Sequence, residues 1–218
     1  LFYKLYQALE FVVNKYTFDY LIKMDTDALL TGSNLLDQID DYYSTHSSQI
    51  GLLGSYKIRS DGKMRTHWEW ACYIIFSVYY LKTLSWKSRL WSKCLPNARM
   101  NGYSLGEHVL GGAHITTYAC LNKMVEMYQY DMLLKDCLHK TNIGEDIIYS
   151  LMAFASGFKL GDFGGPNDPM AIAQKNMPLR KEEITDRQKQ IIHSVRKGLN
   201  GESEKELRAY FRSTRKRT

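Results

Sequence analysis

No two of the four cysteines, Cys72, Cys94, Cys120 and Cys137, stand at a paired spacing. That excludes a zinc ribbon and a disulfide framework, and it fits reduced thiols and a cytoplasmic placement. No apolar run reaches bilayer length: the longest apolar-rich stretch, Ala71 to Leu81, falls well short of the ~20 residues a spanning helix needs. No internal repeat and no low-complexity tract is visible. The chain opens at Leu1 with neither an initiator Met nor the charged start of a signal peptide. Leu1, Leu5, Ala8, Leu9 and Val12 already lie on one helical face. This pattern is expected of a fragment whose N-terminal portion lies elsewhere; a membrane anchor there would change the placement from cytoplasm to Golgi.

What is present is ordinary for a folded protein. Apolar residues make up 44% and charged residues 24% of 218 residues, enough for one domain with a sizeable core. The expected division is a domain over 1–198 and a terminal helix with a basic tail over 199–218. The net charge of +6 owes much to Arg196, Lys197 and the run Arg212 to Arg217. A basic tail can touch nucleic acid or acidic lipid. Such a tail is more often only solvated, and no nucleic-acid partner is expected.

The pattern along the chain alternates helices and strands, which argues for an α/β fold. A helix over Phe2 to Asn14 is followed by a strand over Phe18 to Met24 that ends in Asp25-Thr26-Asp27. Ser33 can cap a helix through Tyr43. Ile50 to Ile58 reads as a strand, Trp68 to Leu84 as helix or strand, and Ser85 to Leu105 as a polar loop. Gly111-Gly112 bends the chain before a strand or helix over Ala113 to Met127. A helix over Ile147 to Ala155, a strand over Phe158 to Phe163 and a helix over Glu182 to Val195 follow. Ser203-Glu204-Lys205-Glu206 is a capping box before a last helix with its stripe at Leu207, Tyr210 and Phe211.

Three features carry chemistry. In open α/β sheets ligands sit beyond the carboxyl ends of strands, where Asp25 and Asp27 fall. Two carboxylates converging there repel unless a cation lies between them, and Mg²⁺ or Mn²⁺ is the usual one; as turn and cap residues they would need none. Glu145 and Asp146 open a helix, where the dipole favours acids. One of them could equally be a general base for a hydroxyl nucleophile, with Gly144 allowing close backbone approach. His193, among apolar neighbours, is either a structural side chain or a third metal ligand. Arg196 or Lys197 could meet a phosphate. The remaining histidines (His46, His67, His108, His114, His139) show no His-Glu-x-x-His pattern.

In this order, Asp25-Thr26-Asp27, Gly111-Gly112-Ala113, Gly144-Glu145-Asp146 and His193, the chain from about Asp19 to Lys197 resembles the GT-A fold glycosyltransferases. The resemblance implies a Rossmann-like nucleotide-diphospho-sugar transferase fold, with a mixed central sheet flanked by helices. It implies that Asp27, Asp25 and His193 hold Mn²⁺ or Mg²⁺, Asp25 also touching donor hydroxyls. Gly111 and Gly112 would admit the donor, and Arg196 or Lys197 would neutralise its diphosphate. Asp146 would be the catalytic base, with Glu145 against acceptor or donor sugar, and Trp68 and Trp70 would form an acceptor wall or simply core. The implied partners are a nucleotide-diphosphate sugar donor and a carbohydrate or other hydroxyl acceptor, and the implied transfer inverts the anomeric carbon.

In the family a half-sheet and a glycine-containing loop precede the Asp-x-Asp motif, whereas only 24 residues precede it here. The first half of the nucleotide-binding part is thus expected to be missing, and the fragment alone to be inactive while its parent is an enzyme. Two other readings remain. A haloacid-dehalogenase-type phosphatase also places Asp-x-Asp after a strand, and Gly161-Asp162 with Asn167-Asp168 loosely echoes its later motif. Leu29 stands where that family has Thr or Val. The other reading is a non-catalytic carbohydrate-binding or scaffold protein with a transferase fold.

Overall fold

A computed structural model of the chain describes residues 2–65, 94–131, 135 and 144–215. The architecture is mixed α/β. Helix α1 (Phe2–Lys15) leads into β1 (Tyr20–Met24), and β2 (Leu29–Leu30) precedes α2 (Leu35–Thr45) and β3 (Ile50–Gly54). Then come β4 (Ala113–Thr117), α3 (Tyr118–Gln129), α4 (Glu145–Ala155), β5 (Lys159–Asp162), β6 (Met170–Ile172), α5 (Lys181–Asp186), β7 (Ile191–His193) and α6 (Glu204–Arg215).

Two sheets result. The larger runs β1-β4-β3-β5, with β4 antiparallel to both neighbours and β5 parallel to β3. The smaller runs β2-β7-β6, antiparallel and then parallel. Helices α1, α3 and α4 pack on one side of the larger sheet, where Leu52, Leu121, Ile148 and Leu151 are fully buried. A second cluster, including Leu53, Ile115, Phe163 and Ile191, joins the sheets. A third wraps the smaller sheet: Leu207 and Phe211 of α6 close on Ile192, Val195 and Ile184. Among the described residues no helix is long and apolar enough to cross a membrane.

Several expectations are corrected. The helix expected over Glu182 to Val195 is a short helix and then a strand. Gln188 adopts a positive φ of 50° and ends α5, and the β-branched pair Ile191 and Ile192 is fully buried between two partner strands. Residues 94–100, expected as loop, are helical, with Cys94 and Ala98 on a shared buried face. The ambiguous stretch from Ala113 is a strand and then a helix, turning where the Thr117 side chain accepts from the Cys120 N–H.

Ser33 does not cap α2. Asn34 occupies that position without a side-chain cap, and its N–H instead donates to Gln190 Oε1 at 3.3 Å. The capping box before α6 is formed: Ser203 N–H donates to Glu206 Oε2 at 2.8 Å and Glu206 N–H to Ser203 Oγ at 3.4 Å. The stretch Trp68 to Leu84 lies outside the described residues.

Candidate metal centre

The chain leaves β1 at Met24 and turns at once, with the Ala28 N–H donating to the Asp25 carbonyl. That turn aims Asp25 and Asp27 at the end of β7, where His193 sits. One ligand atom from each of Asp25, Asp27 and His193 lies within 4.8 Å of the others. His193 Nε2 is 3.2 Å from Asp27 Oδ1 and 3.8 Å from Asp25 Oδ2. The remaining atoms of all three are tied elsewhere. Lys23 Nζ holds Asp25 Oδ1 at 2.6 Å. Ser194 Oγ donates to Asp27 Oδ2 at 2.7 Å, and Arg196 Nε pairs with the same oxygen at 2.8 Å.

His193 Nδ1 lies 2.7 Å from the Ala173 carbonyl and so must carry the proton. With the proton on Nδ1, a neutral ring would turn its Nε2 lone pair toward the two carboxylates, as metal-bound histidines are held. Two carboxylate oxygens and one imidazole nitrogen suit a hard-to-borderline divalent cation such as Mn²⁺ or Mg²⁺. Burial by itself would raise the pKa of Asp27. The Ser194 hydrogen bond and the Arg196 guanidinium act against it, and the carboxyl ends below its usual range.

Gly112 explains how the imidazole fits. A Cβ there would stand 2.2 Å from His193 Nδ1. Its neighbour Gly111 packs against Asp146, with a Cβ position 3.3 Å from that residue's own. Both glycines therefore serve close approach within the protein. Lys23 Nζ completes the link: besides Asp25 it donates to the Gly111 carbonyl at 2.7 Å and to Glu145 Oε1 at 2.6 Å. Burial lowers the Lys23 pKa, but the two carboxylates prevail and it ends raised.

Asp146 folds back so that its Oδ1 accepts the Ile147 N–H at 2.9 Å, and Oδ2 lies 3.9 Å from His108 Nε2. A Cβ on Gly144 would stand 2.7 Å from Asp146 Oδ1, so that glycine also makes room for the carboxylate.

The structure thus gathers Asp25, Asp27, His193, Gly111, Gly112, Glu145, Asp146 and Arg196 into one region. Arg196, expected to meet a phosphate, pairs through its Nε with Asp27. Lys197 is exposed, in a backbone bridge with Ser203, and its side chain has no contact with the acidic cluster among the described residues. Trp68 and Trp70 lie outside the described residues.

Sequence reasoning missed Lys23 and Ser194. Lys23 had a usable signal, standing two residues before Asp25 and hence on the same face of the strand. Ser194 had none, because its partner is 167 residues away. No protein-family model, curated protein or solved structure matches the chain.

Proposed function

We propose that the protein is a metal-dependent glycosyltransferase of the GT-A type. The observation that carries this reading is the convergence of Asp25, Asp27 and His193, with one open ligand atom on each, beside the Gly111-Gly112 bend and the Glu145-Asp146 helix start. A bound divalent cation would supply charge compensation for a departing diphosphate. The chain's own residues do the rest. Asp146 takes the proton of the acceptor hydroxyl. That oxygen forms a bond to the anomeric carbon while the bond to the diphosphate breaks, and the electron pair leaves with the diphosphate. A single displacement of this kind inverts the configuration. Lys23 holds Glu145 and Asp25 in register, so that the base-bearing helix and the metal-bearing turn move as a unit.

The phosphatase reading draws less support. Its second acidic pair would have to face Asp25 and Asp27. Asp162 instead accepts three backbone N–H groups, from Tyr56, Lys57 and Ile58, and Asp168 accepts that of Gly165. Both carboxylates are thereby committed to holding loops.

The test is a titration of the protein with Mn²⁺, read by electron paramagnetic resonance, followed by release of nucleoside diphosphate from a panel of sugar donors by the parent protein, in which the nucleotide-binding half is expected. Asp27→Ala should abolish both readouts. Asp146→Asn should keep the ion and lower turnover by roughly 10²–10⁴-fold, the usual worth of a positioned base. A wild-type protein that takes up no Mn²⁺ overturns the reading.

A further inference from the structure

A cavity of about 330 Å³ opens between the loop over 58–65 and the loop over 172–178. It shares a wall with the metal centre. Leu110, in its lining, immediately precedes Gly111, and Ala173, also in its lining, holds the His193 imidazole through its carbonyl. Its size falls in the range of small-molecule sites. Among the described residues, the charged side chains that line it are Arg59, Arg65 and Lys175, and none of the lining residues is a carboxylate. Resting on the transferase reading above, we propose that this cavity is the acceptor subsite and that the acceptor is an anionic saccharide, carrying a carboxylate or a sulfate.

The position favours acceptor over donor. Arg65 Nη1 donates to the carbonyls of Ser55, Tyr56 and His108, and Nη2 lies 3.1 Å from His108 Nε2. The same imidazole nitrogen is 3.9 Å from Asp146. Arg65 and His108 therefore link the cavity wall to the carboxylate that would accept the hydroxyl proton, which makes this the side from which an acceptor approaches.

The charge argument is independent of position. Burial lowers the Arg65 pKa and the charge of Arg59 lowers it further, against the pull of Asp146 and Asp162. Two like charges brought together around a cavity cost free energy that an anionic occupant recovers. Asp61 offsets part of Arg59, its Oδ2 3.0 Å from Nη2 of an arginine that is half exposed. Lys175 is exposed and has no ion-pair partner among the described residues.

The experiment is calorimetric titration of the protein, with Mn²⁺ present, by four probes: a uronic-acid disaccharide, a sulfated disaccharide, a neutral disaccharide of the same linkage, and inorganic sulfate. At least one acidic disaccharide should bind about tenfold more tightly than the neutral one. Arg59→Glu/Lys175→Glu should erase that preference, and Arg59→Ala/Lys175→Ala should reduce it, with Mn²⁺ uptake unchanged in both. Equal binding of acidic and neutral disaccharides overturns the proposal, as does no binding of either. Inorganic sulfate binding as tightly as the sulfated disaccharide also overturns it, leaving a simple anion site. Each of these outcomes leaves the metal reading intact, whereas absent Mn²⁺ uptake removes that reading instead.

Discussion

Replacing Gly112 by alanine tests the metal centre without touching a ligand. The backbone there does not need glycine's conformational freedom, since Gly112 is not among the positive-φ glycines. The effect should therefore be steric. The new Cβ would stand 2.2 Å from His193 Nδ1, and ordinary carbon contacts begin at about 3.5 Å. The imidazole must retreat by the difference, roughly 1.3 Å. The same nitrogen is tethered by a 2.7 Å bond to the Ala173 carbonyl. A retreat of that size either breaks the tether or carries Nε2 away from Asp27 Oδ1, now 3.2 Å distant.

Loss of such an orienting contact typically lowers metal affinity about 10–100-fold. Crowding of this kind also costs about 1–3 kcal/mol of stability. Mn²⁺ titration of Gly112→Ala, with its urea midpoint as the control for folding, reads both. A folded variant that binds Mn²⁺ with wild-type affinity refutes the assigned geometry.

Three further outcomes are expected. His114 is buried with neither ring nitrogen hydrogen-bonded among the described residues, and burial together with the Lys23 charge pushes its pKa down to about 3. The unfolded chain takes that proton below pH 6.5 while the folded one does not, so this residue should cost about 2 kcal/mol of stability between pH 6.5 and pH 5. His114→Leu should lose that much of the acid slope in urea titrations. Ser203→Ala should lower stability by about 1 kcal/mol, measured the same way, by removing one side of the capping box. Lys23→Met leaves Asp25 and Glu145 facing each other without their cation. It should destabilise by about 2 kcal/mol, a part-buried discount on the cost of breaking a buried pair, and Mn²⁺ should restore more of its melting temperature than it adds to the wild type.

The ligand chemistry of the site was more legible than the elements that carry it. Asp25 and Asp27 announced themselves as carboxylates two apart at the end of an apolar strand. Glu145 and Asp146 were legible at a glycine-led helix start. His193 reads as a candidate ligand, although the spacing around it predicts a helix where the structure has a strand. Ile191 and Ile192 continue a helical spacing from Ile184, and nothing local marks Gln188 as the break. What settles that stretch as a strand is burial between β2 and β6, a tertiary fact. The helical residues 94–100 escaped for a similar reason, since only the small side chains Cys94 and Ala98 signal the buried face. Ser194 and Arg65 act across large sequence separations, and so does Lys23 in its bond to Glu145, which no local pattern encodes.

The two sheets meet at the acidic turn: Asp25 and Asp27 extend from the end of the larger one, and His193 closes a strand of the smaller. An ion chelated there would add a crosslink to the apolar cluster that already joins the two sheets. Stripping it should loosen their docking as a whole, so that a chelator changes the cooperativity of unfolding as well as its midpoint.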